Sequence, residues 1–165
     1  FGLSAASTFD GCINSGNISS STSSGTVATL DMGGIIGQNK NGSVPITDCE
    51  SYCDITSTIG GTCTTARIGG VAGYSGGGAT ISGCKVKANV ATTGTGTYTT
   101  NNSAVIQGAS GSSPLIEKTG YAGSINGTAI TAANWATYEY ICNKPTGTSK
   151  INISGDANSI YFLSE

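Results

Sequence analysis

The sequence predicts an all-β chain folded as a parallel β-solenoid (β-helix) of about four coils, with three strands per repeat of about 35 residues. Three observations carry that prediction. "MGGIIGQNKNG" from Met32 returns as "IGGVAGYSGGG" from Ile68, 36 residues later. An apolar-x-x-Cys pattern recurs beside it at nearly the same period, and a period of 20 to 50 residues is the mark of repeat architectures. The third is composition: 26 of 165 residues are Gly and only 10% are charged, with Ser, Thr and Asn filling the polar positions, which suits strands and tight turns better than helices.

The glycine phrase is the first element. Gly33, Gly34 and Gly37 correspond to Gly69, Gly70 and Gly73, and a reduced copy, "AVIQG", puts Gly108 35 residues after Gly73. The residue 35 positions before Gly37 is Gly2, so the chain is expected to begin inside a repeat. Each coil must turn the same corner, where the backbone needs positive φ or a close approach to its neighbour, and only glycine meets both conditions cheaply.

The second element follows about eleven residues later, where Cys12, Cys49, Cys84 and Thr119 stand 37, 35 and 35 apart. Three residues before each is Phe9, Ile46, Ile81 or Ile116, and six after is Ile18, Ile55, Val90 or Ile125. Period-two alternation places Cys84, Val86, Ala88 and Val90 inside, with Lys85, Lys87 and Asn89 outside. The preceding copy puts Cys49, Ser51, Cys53 and Ile55 inside, and Glu50, Tyr52 and Asp54 outside. Stacking in register then sets Glu50 beside Lys85. Rows of Ile, Val and Phe along the axis supply the main stabilisation, about 1.5 to 3 kcal/mol per fully buried side chain.

The third element is "GTVATLDM" at Gly25, "GTCTTARI" at Gly61 and "GTYTTNNS" at Gly96. Loops such as "SSSTSS" and "ATTGTG" absorb the small differences in spacing. These repeats occupy residues 1–125. Residues 126–165 depart from the pattern and are expected to form a carboxy-terminal cap, with a short helix over "TAANWATYEYI" (Thr131 to Ile141, Thr131 as N-cap) and two terminal strands at "KINIS" and "SIYFL".

The chemistry available is narrow. A net charge of −2 offers no basic footprint for nucleic acid, and no apolar run is long enough to insert into a membrane. With no His, imidazole-based triads and metal sites are excluded, and no catalytic residue, metal ligand or cofactor is assigned. Sugar-cleaving β-helices use clustered carboxylates and cations, for which the nearest group is Asp48, Glu50, Asp54, Arg67, Lys85 and Lys87; a solvated face with cross-coil pairing explains the same residues. Cys12, Cys49 and Cys84 read as a file of small buried hydrophobes. The inward face around Cys63 is less certain, because Asp31, Arg67 and Asn102 put the same parity outside, and a Cys53 to Cys63 bridge conflicts with an inward Cys53. Thr26, Thr62 and Thr97, with Thr64 and Thr99 two residues on, form a partial T-x-T array resembling ice-binding surfaces, although Thr is in any case a good strand residue and Ala28 interrupts the row. Sequons at Asn17, Asn41, Asn101, Asn126 and Asn152 follow from composition.

The "GGIIGQNKNG…ITDCESYCDI" and "GGVAGYSGGGATISGCKVKANV" units resemble GLUG-type repeats, found in large surface proteins of gut and oral Bacteroidetes and in other bacterial adhesins. The resemblance covers about residues 1–125, with Gly108 keeping a remnant of its phrase and Thr119 replacing the cysteine. It implies an extracellular or cell-surface, non-enzymatic β-solenoid acting as adhesin or stalk, with glycans or host or bacterial surface proteins as partners. Tyr52, Tyr74 and Tyr98 are the expected contact residues, since aromatic and amide groups on a rigid sheet suit weak repeated contacts. The alternative expectation is a structural subunit of a filament that associates head to tail. Ice binding and glycan cleavage are the remaining readings.

Overall fold

The computed structural model describes residues 8–40, 44–77, 79–112, 114–131, 133–134, 142, 152–153 and 160–163. The first described coil comprises β1 (Phe9–Asp10), β2 (Ile13–Asn14), β3 (Ile18–Thr22), β4 (Thr26–Gly33) and β5 (Ile36–Asn39). The second repeats it as β6 (Ile46–Thr47), β7 (Glu50–Ser51), β8 (Ile55–Ile59), β9 (Thr62–Gly69) and β10 (Ala72–Ser75). In the third, β11 (Thr80–Ser82), β12 (Lys85–Thr93), β13 (Thr97–Ala104) and β14 (Gln107–Ser110) follow, β12 spanning the place of two earlier strands. A fourth is begun by β15 (Leu115–Glu117) and β16 (Thr119–Ile125), after which come β17 (Thr128–Ile130), β18 (Asn152–Ile153) and β19 (Ile160–Phe162).

Equivalent strands pair in parallel, giving the ladders β1-β6-β11-β15-β18, β2-β7-β12-β16, β4-β9-β13 and β5-β10-β14, with β3-β8 joining β12. This is a parallel β-solenoid of three complete coils and the start of a fourth. The register is the one the repeat predicts. Phe9 pairs with Ile46, Ile46 with Ile81 and Ile81 with Ile116. Ile18 pairs with Ile55, Ile55 with Val90 and Val90 with Ile125. Their side chains make the continuous interior files of one long core, and each coil supplies only one layer of it.

One detail differs from the sequence reading. Each coil has four ladder positions rather than three strands, because the apolar-x-x-Cys segment bends just before the cysteine position. Gly11, Asp48, Gly83 and Lys118 hold that corner in the left-handed region, with φ of 61°, 51°, 68° and 49°. Gly33, Gly34, Gly69 and Gly70 serve through close approach, one of the two expected reasons: a Cβ on Gly70 would strike the Val105 carbonyl oxygen and Val86 Cγ1.

The fourth coil ends in a hairpin. Asn126 and Gly127, φ 48° and 79°, make the Asn-Gly turn that favours tight hairpins, and β17 returns antiparallel on β16. The strands expected in "KINIS" and "SIYFL" extend the solenoid, β18 on β15 and β19 on β16. No described residue is helical, and most of the expected helix, residues 135–141, lies outside the described residues. Thr131 sits in a local turn: its backbone N–H donates to Asn134 Oδ1 at 2.8 Å, and its Oγ1 accepts from the Ala133 N–H at 3.3 Å. Among the described residues no helix is long and apolar enough to cross a membrane.

Candidate binding surface

The outer side of the second ladder collects most of the expected charged cluster. Glu50 pairs with Lys85 across coils, Nζ to Oε1 3.0 Å. Hydrogen bonds from Lys85 first, and from Tyr52 second, hold the Glu50 carboxyl below its ordinary range. Desolvation, then the Glu50 contact, raises the Tyr52 phenol, and the bond to Glu50 raises Lys85. Each group is driven further into its usual protonation state. A general acid or base would need the opposite, a value brought toward neutrality.

Asp54 continues the row: its Oδ1 accepts from Asn89 Nδ2 at 2.8 Å, and Asn89 Oδ1 accepts from Ser124 Oγ at 2.8 Å. This polar line crosses three coils at steps of 35 residues, an offset that the repeat itself would have exposed for Ser124. Tyr161, 40% exposed, stands in register with Gly120 one rung beyond and joins Tyr52, also 40% exposed, on this side. Arg67 is elsewhere. It bonds Asp31 through Nε at 2.6 Å and NH2 at 2.8 Å and lies 3.6 Å over the Tyr74 ring.

The three expected contact tyrosines therefore do not share a face. Tyr52 is on the second ladder, Tyr74 is half-buried under Arg67 on the fourth, and Tyr98 turns inward on the third. Tyr98 packs against the small cluster of Ile59, Cys63 and Ala66, and its hydroxyl lies 2.9 Å from Ser57 Oγ. Cys63 is buried beside it. The parity puzzle at this strand has a simple cause. The third ladder pairs Val27, Cys63 and Tyr98, then resumes at Thr29, Thr65 and Thr100, leaving Ala28, Thr64 and Thr99 out of the pairing. One extra outward residue per coil flips the alternation, so Cys63 and Arg67 point opposite ways. Thr26, Thr62 and Thr97 stack as expected, and Thr64 and Thr99 are exposed two residues on, with Thr65 and Thr100 following at once.

Cys12, Cys49, Cys53, Cys63 and Cys84 are free thiols, and Cys53 and Cys63 belong to separate core clusters. Burial pushes the Cys84 thiol up to about 12, and raises Cys49, Cys53 and Cys63, which leaves them poor nucleophiles. No group of three or more Cys, Asp or Glu among the described residues is gathered for a metal. At the first described coil, a groove of about 320 Å³ is lined by Phe9, Cys12, Ile13, Asn14, Gly34 and Ile35, and Ile13 is 70% exposed. Comparison with protein-family models, curated proteins and solved structures gives no match.

Proposed function

We propose that this chain is a non-enzymatic, extracellular or cell-surface repeat segment, a stiff spacer whose sides contact glycans or proteins as an adhesin does. The observation that carries the reading is the fixed cross-coil network on the second ladder, where Tyr52, Glu50 and Lys85 hold one another at a solvent-facing position. A preformed surface of amphipathic aromatic and amide groups loses little entropy on binding, which suits weak contacts repeated along a stalk. The test is a glycan and surface-protein array probed with the chain and with Tyr52→Ala and Tyr74→Ala. Loss of bound spots with unchanged unfolding supports the reading; identical arrays for the chain and for both variants together remove it. Tyr98→Phe is the control, because that side chain faces the core.

A second reading, a subunit of a self-assembling filament, is favoured by the ends of the ladders. Among the described residues, β1, β2, β3, β4 and β5 each pair on one side alone, and the exposed Ile13 stands beside an apolar groove. Such an edge accepts a further coil from a second copy. Sedimentation that shifts with concentration, and stops shifting in Ile13→Lys, is the outcome this reading requires.

A further inference from the structure

A cavity of about 510 Å³ opens where β16 changes partner. Residues Thr119 to Tyr121 pair with β19, whereas Gly123 to Ile125 pair with β17, so the two top strands leave a notch above Ala122. Half-buried Phe162 and buried Ile130 supply its apolar lining, and Phe162 is steadied by an edge-on contact with the buried Tyr121 ring at 6.3 Å. Lys87, Asn89 and Ser124 form its outer rim among the described residues.

The direction of the rim's hydrogen bonds is determined by the Asp54 carboxylate. It can only accept, so Asn89 must turn its amide nitrogen toward Asp54 and its oxygen toward Ser124. Ser124 then spends its proton on Asn89, and its remaining lone pair is offered to the notch as an acceptor. Lys87 is in register with Ala122, whose methyl group leaves its ammonium room. Among the described residues the two ion pairs are Arg67 with Asp31 and Lys85 with Glu50, and no described carboxylate lies within ion-pair distance of Lys87. The notch thus combines a cationic donor, a hydroxyl acceptor and an apolar wall in a space of the size that holds small ligands.

We propose that this notch binds a carboxylate-bearing sugar residue: Lys87 meets the carboxylate, Ser124 accepts from a ring hydroxyl, and Phe162 and Ile130 cover the C–H face. The assignment deepens the glycan-contacting reading above and rests on it. An acidic peptide side chain satisfies Lys87 but brings neither a hydroxyl proton for Ser124 nor a flat apolar face for the wall. Chloride or acetate satisfies the charge alone.

The experiment is titration of the full chain with sodium glucuronate, followed by amide chemical shifts, with glucose as the neutral twin and acetate as the charge-only control. Glucuronate is expected to bind on the order of tenfold tighter than either, the size of one charge-assisted contact added to a shared sugar frame. Lys87→Gln, an exposed change that leaves the core intact, should reduce glucuronate to the level of glucose, and Ser124→Ala should weaken both sugars. Shifts should centre on Ala122, Ser124 and Ile130. Equal affinity for glucuronate and glucose, or a preference that survives Lys87→Gln, overturns the proposal. So does binding of an oligoglutamate peptide at the notch with none of glucuronate, which would point to a protein partner. If neutral glycans still bind through Tyr52 or Tyr74 while glucuronate does not, the notch assignment fails and the adhesive reading stands. If no glycan binds, both fail.

Discussion

The second coil and the first described coil are written in the same phrase, yet they are not equally buried. Ile46 is sealed from solvent, whereas its register partner Phe9 is half-buried; Cys49 and Cys84 are buried, whereas Cys12 in the same file is half-buried. The residues are equivalent and the neighbours are not. A solenoid layer has little interior of its own, so burial comes from a coil on each side, and stability is a sum of interfaces rather than a property of any one repeat.

The sharpest way to break that comparison is at the glycines. Gly70→Ala, in the sandwiched coil, drives a methyl into the Val105 carbonyl and the Val86 side chain, and should cost more than about 3 kcal/mol by urea unfolding. Gly11→Ala has open space and only an unfavourable φ of 61°, and should cost about 1 kcal/mol. Equal losses would mean that the corners, not the stacking, set the difference between the coils.

Next in size is the pair Ile81→Ala and Phe9→Ala. Although Phe is the larger side chain, removing wholly buried Ile81 should cost about 2 to 5 kcal/mol, and trimming half-buried Phe9 about 1 kcal/mol. A larger effect at Phe9 would show that the first coil is buried in solution.

The smallest effects concern the cross-coil ion pairs, and here the order of the coils reverses. Asp31 and Arg67, which join the first coil to the second, expose only 11% and 16% of their side chains. Asp31→Ala should cost about 1 to 3 kcal/mol and resist added salt, because a partly buried guanidinium is left without its carboxylate. Glu50→Ala, between the second and third coils, faces solvent and should leave the unfolding temperature unchanged. The Glu50 carboxyl should still titrate below the ordinary carboxylate range by NMR and return toward it in Lys85→Met. Because that value is lowered on folding, whatever the pair contributes is present above the ordinary carboxylate pKa and fades as pH falls through the depressed one.

Much of this was legible before any coordinates. The eight apolar positions flanking the cysteine file, the opposition of Glu50 to Lys85 and the in-out alternation along Lys85 to Val90 all follow from a period of 35 residues combined with a period of two. What was not legible lies where a short-range rule is overridden. Cys63 and Arg67 share a parity and point apart, because Thr64 falls out of the pairing. Nothing in the repeat marks Asn39 and Gln107 as interior, yet both are fully buried, Asn39 donating to the Val44 carbonyl at 3.0 Å and Gln107 to that of Ala109 at 3.1 Å. The left-handed corner at Asp48 and Lys118 carries no glycine to announce it.

Stacking by itself was determined by the sequence, since identical spacing in successive repeats leaves one register that brings like apolar residues together, and burial in that register is additive. Which side chains share a face was decided only by the tertiary structure. A skipped residue or a left-handed corner rotates everything after it, so Tyr52, Tyr74 and Tyr98 part company while Lys87, Ser124 and Phe162, distant in the chain, come to line one notch.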